Sequence, residues 1–151
     1  MKIKEEIART STHAAAHNQV QVHQRDGHVE LVLNETFLFD SGRANLLTNN
    51  GGVLDHVIDV VRNLPATTKV VVEGHTDDVP IHNADFDSNW QLAAARGLAV
   101  IQAFQQRGFP GDRISLVAHG EYKPLAPNRD DDGHPVVDNQ RKNRRVVIKI
   151  I

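Results

Sequence analysis

Arg96 lies inside an otherwise apolar helical segment, Leu92-Ala93-Ala94-Ala95-Arg96-Gly97-Leu98-Ala99-Val100. A guanidinium among Leu and Ala is seldom found in a helix interior unless its head has a partner. Upstream, the polar loop Thr76-Asp77-Asp78-Val79-Pro80 follows the Val-rich run 69–73 and carries Asp77. The order places one carboxylate in a loop after an apolar strand and one guanidinium within a helix. Two opposite charges on rigid elements can grip a zwitterion, or they can simply pair with each other. Both readings are open at this level.

The rest of the chain supplies a scaffold of strands and helices. Residues 20–23 and 29–33 flank Asp26-Gly27, a strong hairpin signal. A short apolar run, Phe37-Leu38-Phe39, is stopped by Asp40-Ser41-Gly42. Val53, Leu54, Val57, Ile58 and Val61 recur at helical spacing within 50–64, and Pro65 ends the pattern. Three consecutive valines in 69–73 predict a strand buried on both faces. Ser88 or Asn89 can cap a helix to about Arg107, closed by Gly108. Residues 114–118 read as a strand, and 119–140 as a loop because it holds three of the six prolines. A terminal strand follows over 144–151. Residues 1–18 suit a thinly apolar helix or linker, with Ile3 and Ile7 four apart. The expected fold is α+β, a mixed sheet covered by helices on one face, formed by residues 19–151.

Bulk composition excludes several classes. The 151 residues are 40% hydrophobic and 24% charged, which is ordinary globular composition for one domain. Net charge is −2, so no basic field argues for nucleic acid; the basic C-terminal residues lack interleaved aromatics. The absence of cysteine excludes disulfides, thiol catalysis and Cys-based zinc sites. The first residues contain no apolar signal region, and no run approaches the roughly 20 apolar residues of a membrane span.

Four motifs in order carry a family resemblance: Phe39-Asp40-Ser41-Gly42-Arg43-Ala44; Val72-Glu73-Gly74-His75-Thr76-Asp77; Asn89, Leu92 and Arg96 on one helix; and Asn143-Arg144-Arg145-Val146. Together they resemble the OmpA-like peptidoglycan-binding domain over roughly residues 29–151. Asp78-Val79-Pro80 and Ser88-Asn89-Trp90 make the chain most similar to the MotB family of flagellar stator proteins. Ala93, Gly97 and Ala118 depart from the family pattern; Gly97 costs its helix about 1 kcal/mol.

The resemblance implies an OmpA-like sandwich that binds the diaminopimelate of the peptidoglycan stem peptide without catalysis. On that basis Asp77 takes the ammonium and Arg96 the carboxylate. Thr76 and Asn89 add neutral hydrogen bonds, Arg144 is a second cation, and Leu92 belongs to the same motif. It also implies a periplasmic location, a homodimer, MotA-type membrane partners, and a full-length protein with an N-terminal membrane helix. The coupling role would be mechanical, fixing a stator unit to the wall. An anchor of another envelope system, such as an outer-membrane lipoprotein or secretion-system tether, is the alternative.

A hydrolase is the less favoured competitor, because no Gly-x-Ser-x-Gly elbow occurs and adjacent Asp77 and Asp78 do not suggest a glycosidase pair. No cofactor or metal is expected. His13 with His17, or His75 with Asp77 and His119, could imitate a metal cluster, but no His-Glu-x-x-His is present. Trp90 is expected to anchor the core rather than to stack on sugar.

Overall fold

The structure, a computed structural model, describes residues 20–47 and 52–151. The helix or linker expected over 1–18 lies outside them. Strand β1 (Val20–Arg25) and strand β2 (His28–Asn34) form the hairpin, in register from Val20 opposite Leu33 to Arg25 opposite His28. Gly27 takes φ 80°, the left-handed conformation that the tight turn needs. A single helical turn, α1 (Glu35–Leu38), starts directly after β2, with Asn34 Oδ1 accepting from the Thr36 amide at 3.0 Å.

Helix α2 (Val53–Arg62) leads to strand β3 (Val70–His75), which extends two residues past the Val-rich run. Helix α3 (Asn89–Gln106) is capped by Ser88 and followed by Gly108 at φ 87°. Strand β4 (Ile114–Gly120), helix α4 (Val137–Asn143) and strand β5 (Arg145–Ile150) complete the chain. Helix α4 was not foreseen: it occupies the end of the segment read as a loop, behind Pro135.

The strand order is β1-β2-β5-β3-β4. Among the described strands only β3 and β4 pair in parallel, joined across α3; the other pairs are antiparallel. The last strand therefore inserts at the centre of the sheet. Val29, Leu31, Leu33, Val70, Val72, Val146, Ile148 and Ile150 face one way and are buried with α2 and α3 residues, among them Ile58, Val61, Val100 and Phe104. Each fully buried side chain of this kind contributes about 1.5–3 kcal/mol. The fold is thus the expected α+β sandwich with helices on one face. Val71 differs from expectation: it is half-buried, because among the described residues the helices pack on one side of the sheet and alternate residues turn outward.

Two glycines let α3 settle on the sheet. A Cβ on Gly74 would run into the Ala93 carbonyl, so β3 and the first turns of α3 touch backbone to backbone. A Cβ on Gly97 would meet the Leu116 side chain, which packs into the space that Gly97 leaves. The helix-propensity cost of Gly97 is offset by that contact.

The register explains what assembles at one end of the sheet. Arg145 stands opposite Asn34 of β2 and also opposite His75 of β3. The residues one or two steps beyond that row, Glu35, Arg144 and Thr76-Asp77, consequently become neighbours.

Candidate functional site

Four charges form a continuous chain at this end of the sheet. Arg96 Nη2 donates to Glu35 Oε1 at 2.7 Å; Arg144 Nε donates to Glu35 Oε2 at 2.7 Å; and Arg144 Nη1 donates to Asp77 Oδ2 at 2.7 Å. Asp77 and Arg96 are not each other's partners. Glu35, which sequence reasoning missed, stands between the two arginines. Two guanidinium groups and two carboxylates balance, which lets the cluster persist at low exposure.

Arg96 is the deeper cation, its side chain 3% exposed against 28% for Arg144. Arg96 Nε also donates to the Arg43 carbonyl at 2.8 Å and Nη2 to the Asp40 carbonyl at 3.3 Å, and the guanidinium lies 5.0 Å from the Phe39 ring centroid. These contacts tie the Phe39–Ala44 motif to α3. Burial lowers the Arg96 pKa, opposed by Glu35. For Arg144, burial also works against the charge, but the hydrogen bonds and charges of Asp77 and Glu35 outweigh it and raise its pKa.

The loop after β3 is fixed by its own polar groups. The Thr76 amide donates to the Gly120 carbonyl at 2.8 Å, and its hydroxyl donates to the Asp77 carbonyl at 2.8 Å. Asp77 Oδ1 accepts from the Val79 amide at 3.0 Å. Asn89 Nδ2 donates to the carbonyls of Asp77 and Val79, at 3.3 and 3.1 Å. Thr76, Asp77, Asn89, Leu92, Arg96 and Arg144 are thus all placed in this region, with Leu92 buried one turn beyond Asn89. Thr76 and Asn89 spend these donors on the loop itself, holding Asp77 in place.

A second layer braces the cluster. The fully buried Asn143 accepts from the amides of Leu125 and Ala126 and donates to the Ala126 carbonyl and Asn128 Oδ1, each within 2.8–3.2 Å. Asp78 joins Arg129 at 2.8 Å and accepts from Gln140 at 3.0 Å. The long segment after β4 is pinned against the site in this way.

Trp90 corrects an expectation. It is 49% exposed and stacks on Tyr122 with ring centroids 5.2 Å apart. The inward face of α3 carries Asn89, Leu92, Ala93 and Arg96, so Trp90 lies one residue off that helical stripe. The metal-like grouping of His75 and His119 with Asp77 is also corrected: the carboxylate beside the two histidines is Glu73. Asp77 is turned to Arg144.

Residues 38–137 match the model of the OmpA family. Among curated relatives, the uncharacterized protein YtxE of Bacillus subtilis is 36% identical over 81% of this chain and 48% of its own length. Motility protein B of the same organism is 28% identical over 80% of this chain and 44% of its own length. The chain spans about half the length of these relatives. Among solved structures, a MotB-like protein from Desulfovibrio vulgaris superposes with TM-score 0.81 at 26% identity, covering 99% of this chain and 91% of that one. The cell wall anchor of the T6SS from Pseudomonas aeruginosa superposes with TM-score 0.82 at 23% identity, covering 96% of both chains, and shows the shared fold. Among the described residues no helix is long and apolar enough to cross a membrane.

Proposed function

The chain belongs to the OmpA family, and on that premise we propose that it is a non-enzymatic peptidoglycan-binding domain anchoring a MotB-like flagellar stator unit to the cell wall. The observation that carries the reading is the Asp77–Arg144 pair, a carboxylate and a guanidinium 2.7 Å apart, with Arg144 partly open to solvent. A diaminopimelate residue offers an ammonium and a carboxylate on one carbon. Entering between the two side chains, its ammonium replaces Arg144 on Asp77, and its carboxylate takes the Arg144 guanidinium so released. The resemblance gives this carboxylate to Arg96; because that guanidinium is 3% exposed and closed on Glu35, we assign the contact to Arg144, and Arg96 adds its charge from behind Glu35. Thr76 and Asn89 hold the Asp77 loop at the geometry that the ammonium requires, and Leu92 belongs to the wall beneath them.

On this reading residues 19–151 are the binding domain and 1–18 a linking segment. The full-length protein sits in the inner membrane through an N-terminal helix, works with MotA-type subunits, and presents this domain as a homodimer in the periplasm. The relatives named for motility support the stator over another envelope anchor. The secretion-system anchor is similar at 23% identity, a level that speaks for the fold alone.

Purified full chain incubated with sacculi tests the reading. It should sediment with the wall and release no soluble muropeptide. Failure to sediment contradicts wall binding, and reproducible muropeptide release contradicts the non-enzymatic reading. Loss of swimming with intact secretion, on deletion of the gene, supports the stator over the secretion-system tether.

A further inference from the structure

Glu73, His75 and His119 converge on the sheet face turned away from the helices. Glu73 and His75 are two apart on β3 and so project to the same side, while His119 comes from the neighbouring strand β4. The pairing of β3 with β4 slips between Gly74 and His75, which stands opposite Gly120 rather than His119. Such irregularities re-aim side chains beside functional sites. Here His119 Nε2 lies 3.3 Å from Glu73 Oε2, and His75 Nε2 lies 3.7 Å from Glu73 Oε1. One ligand atom from each of the three residues falls within 4.8 Å of the others. The two rings stack with centroids 4.7 Å apart.

His75 is the unusual member. Its side chain is 4% exposed, and neither ring nitrogen has a hydrogen-bond partner among the described residues. Buried polar atoms are nearly always satisfied, so an orphaned imidazole aimed at a carboxylate and a second imidazole needs an explanation.

We propose that Glu73, His75 and His119 form a binding site for a divalent transition-metal ion of the zinc type, separate from the wall-binding end of the sheet. Two imidazoles and a carboxylate are a suitable ligand set, and about 3.3 Å is the edge of a tetrahedron with ligands about 2.0 Å from zinc. Glu73 and His75 line an open groove together with His23, Glu30 and the cations Arg25, Arg145 and Lys149. The Lys149 ammonium, 3.2 Å from Glu73 Oε2, is the competing cation; it is 31% exposed on a flexible stem and swings away when the ion enters. The bound ion bridges β3 to β4, which among the described strands is joined to the sheet through β3.

The test uses untagged full chain, stripped with chelator and titrated with zinc chloride alone by calorimetry. Cobalt substitution then reports tetrahedral geometry by absorbance. The expected result is one ion per chain and a rise in thermal midpoint. Binding should weaken at least tenfold in both His119→Ala and Glu73→Gln. Paired His13→Ala and His17→Ala changes, or Asp132→Ala in the exposed Asp130-Asp132-His134 group, should leave it unchanged. The His119 side chain is 22% exposed, and circular dichroism checks that its alanine variant folds. Absence of zinc binding overturns the proposal, as does binding that survives both site variants.

Discussion

The Arg96 guanidinium, buried in α3, closes on the Glu35 carboxylate at 2.7 Å. Glu35 is held from the other side by Arg144, so its charge serves two cations. Removing that charge leaves Arg96 buried without a carboxylate partner. Glu35→Gln should therefore destabilise the domain by about 3 kcal/mol. Asp77→Asn should cost less, about 1 kcal/mol, because Arg144 keeps Glu35 and is better solvated. Urea denaturation of both variants decides: equal losses would show that Glu35 is not the hub.

Close contact of β3 with α3 should be intolerant of a single methyl group. A Cβ on Gly74 meets the Ala93 backbone, whereas one on Gly97 meets the far end of the Leu116 side chain. Gly74→Ala should cost about 1–3 kcal/mol and weaken ligand binding by displacing the Thr76-Asp77 loop from Asn89. Gly97→Ala should cost less, since Leu116 can turn aside. Thermal unfolding of the two variants gives the comparison, and a tolerated Gly74→Ala would disprove the close approach.

Acid should act through His75. Burial first, then the Arg145 and His119 charges, push its pKa from 6.5 down to about 3. The unfolded chain thus binds a proton that the folded chain refuses throughout that window. The stability associated with neutral His75 is complete above pH 6.5 and is lost progressively as pH falls toward 3, by up to about 1.4 kcal/mol per pH unit. Carboxylates contribute to acid unfolding too, so the informative quantity is the difference between wild type and His75→Gln, with chelator present. The variant should lose less stability between pH 7 and pH 5; parallel curves would refute the assignment.

Assembly follows from the stator reading. Two copies on one insoluble polymer gain avidity through effective concentration, so a homodimer should be retained on sacculi far more tightly than it binds free stem peptide. Light scattering over a concentration series should show a mass of twice 16.8 kDa. A monomer mass at every concentration would count against dimerisation of this chain.

Much of the scaffold is legible because local signals agree with the fold. Asp26-Gly27 sets the hairpin, Ser88 and Gly108 bracket α3, and Pro65 follows α2. The lone Arg96 correctly announces a buried partner, since an apolar helix face offers nothing else to a guanidinium. Which partner it takes is invisible, because Glu35 meets it only through insertion of β5 between β2 and β3. That insertion is a long-range property with no local sequence signal. Glu73 was missed beside His75 and His119 for a related reason: period-two alternation puts Glu73 with His75, but the β3–β4 slip decides which histidine joins them. Trp90 was misplaced because its size suggested core packing, while helical phase turns it outward. Helix α4 escaped notice among the prolines and polar residues around it.

Calorimetry of the purified domain with diaminopimelate-containing stem peptide tests the central claim most directly. The same peptide carrying lysine, which keeps the ammonium and lacks the carboxylate, is the chemical control. Wild type should bind the first and lose at least about 2 kcal/mol with the second, as should Asp77→Ala and Arg144→Lys with the first. Equal affinity for the two peptides, or unchanged affinity in either variant, would contradict recognition of a zwitterion by the Asp77–Arg144 pair.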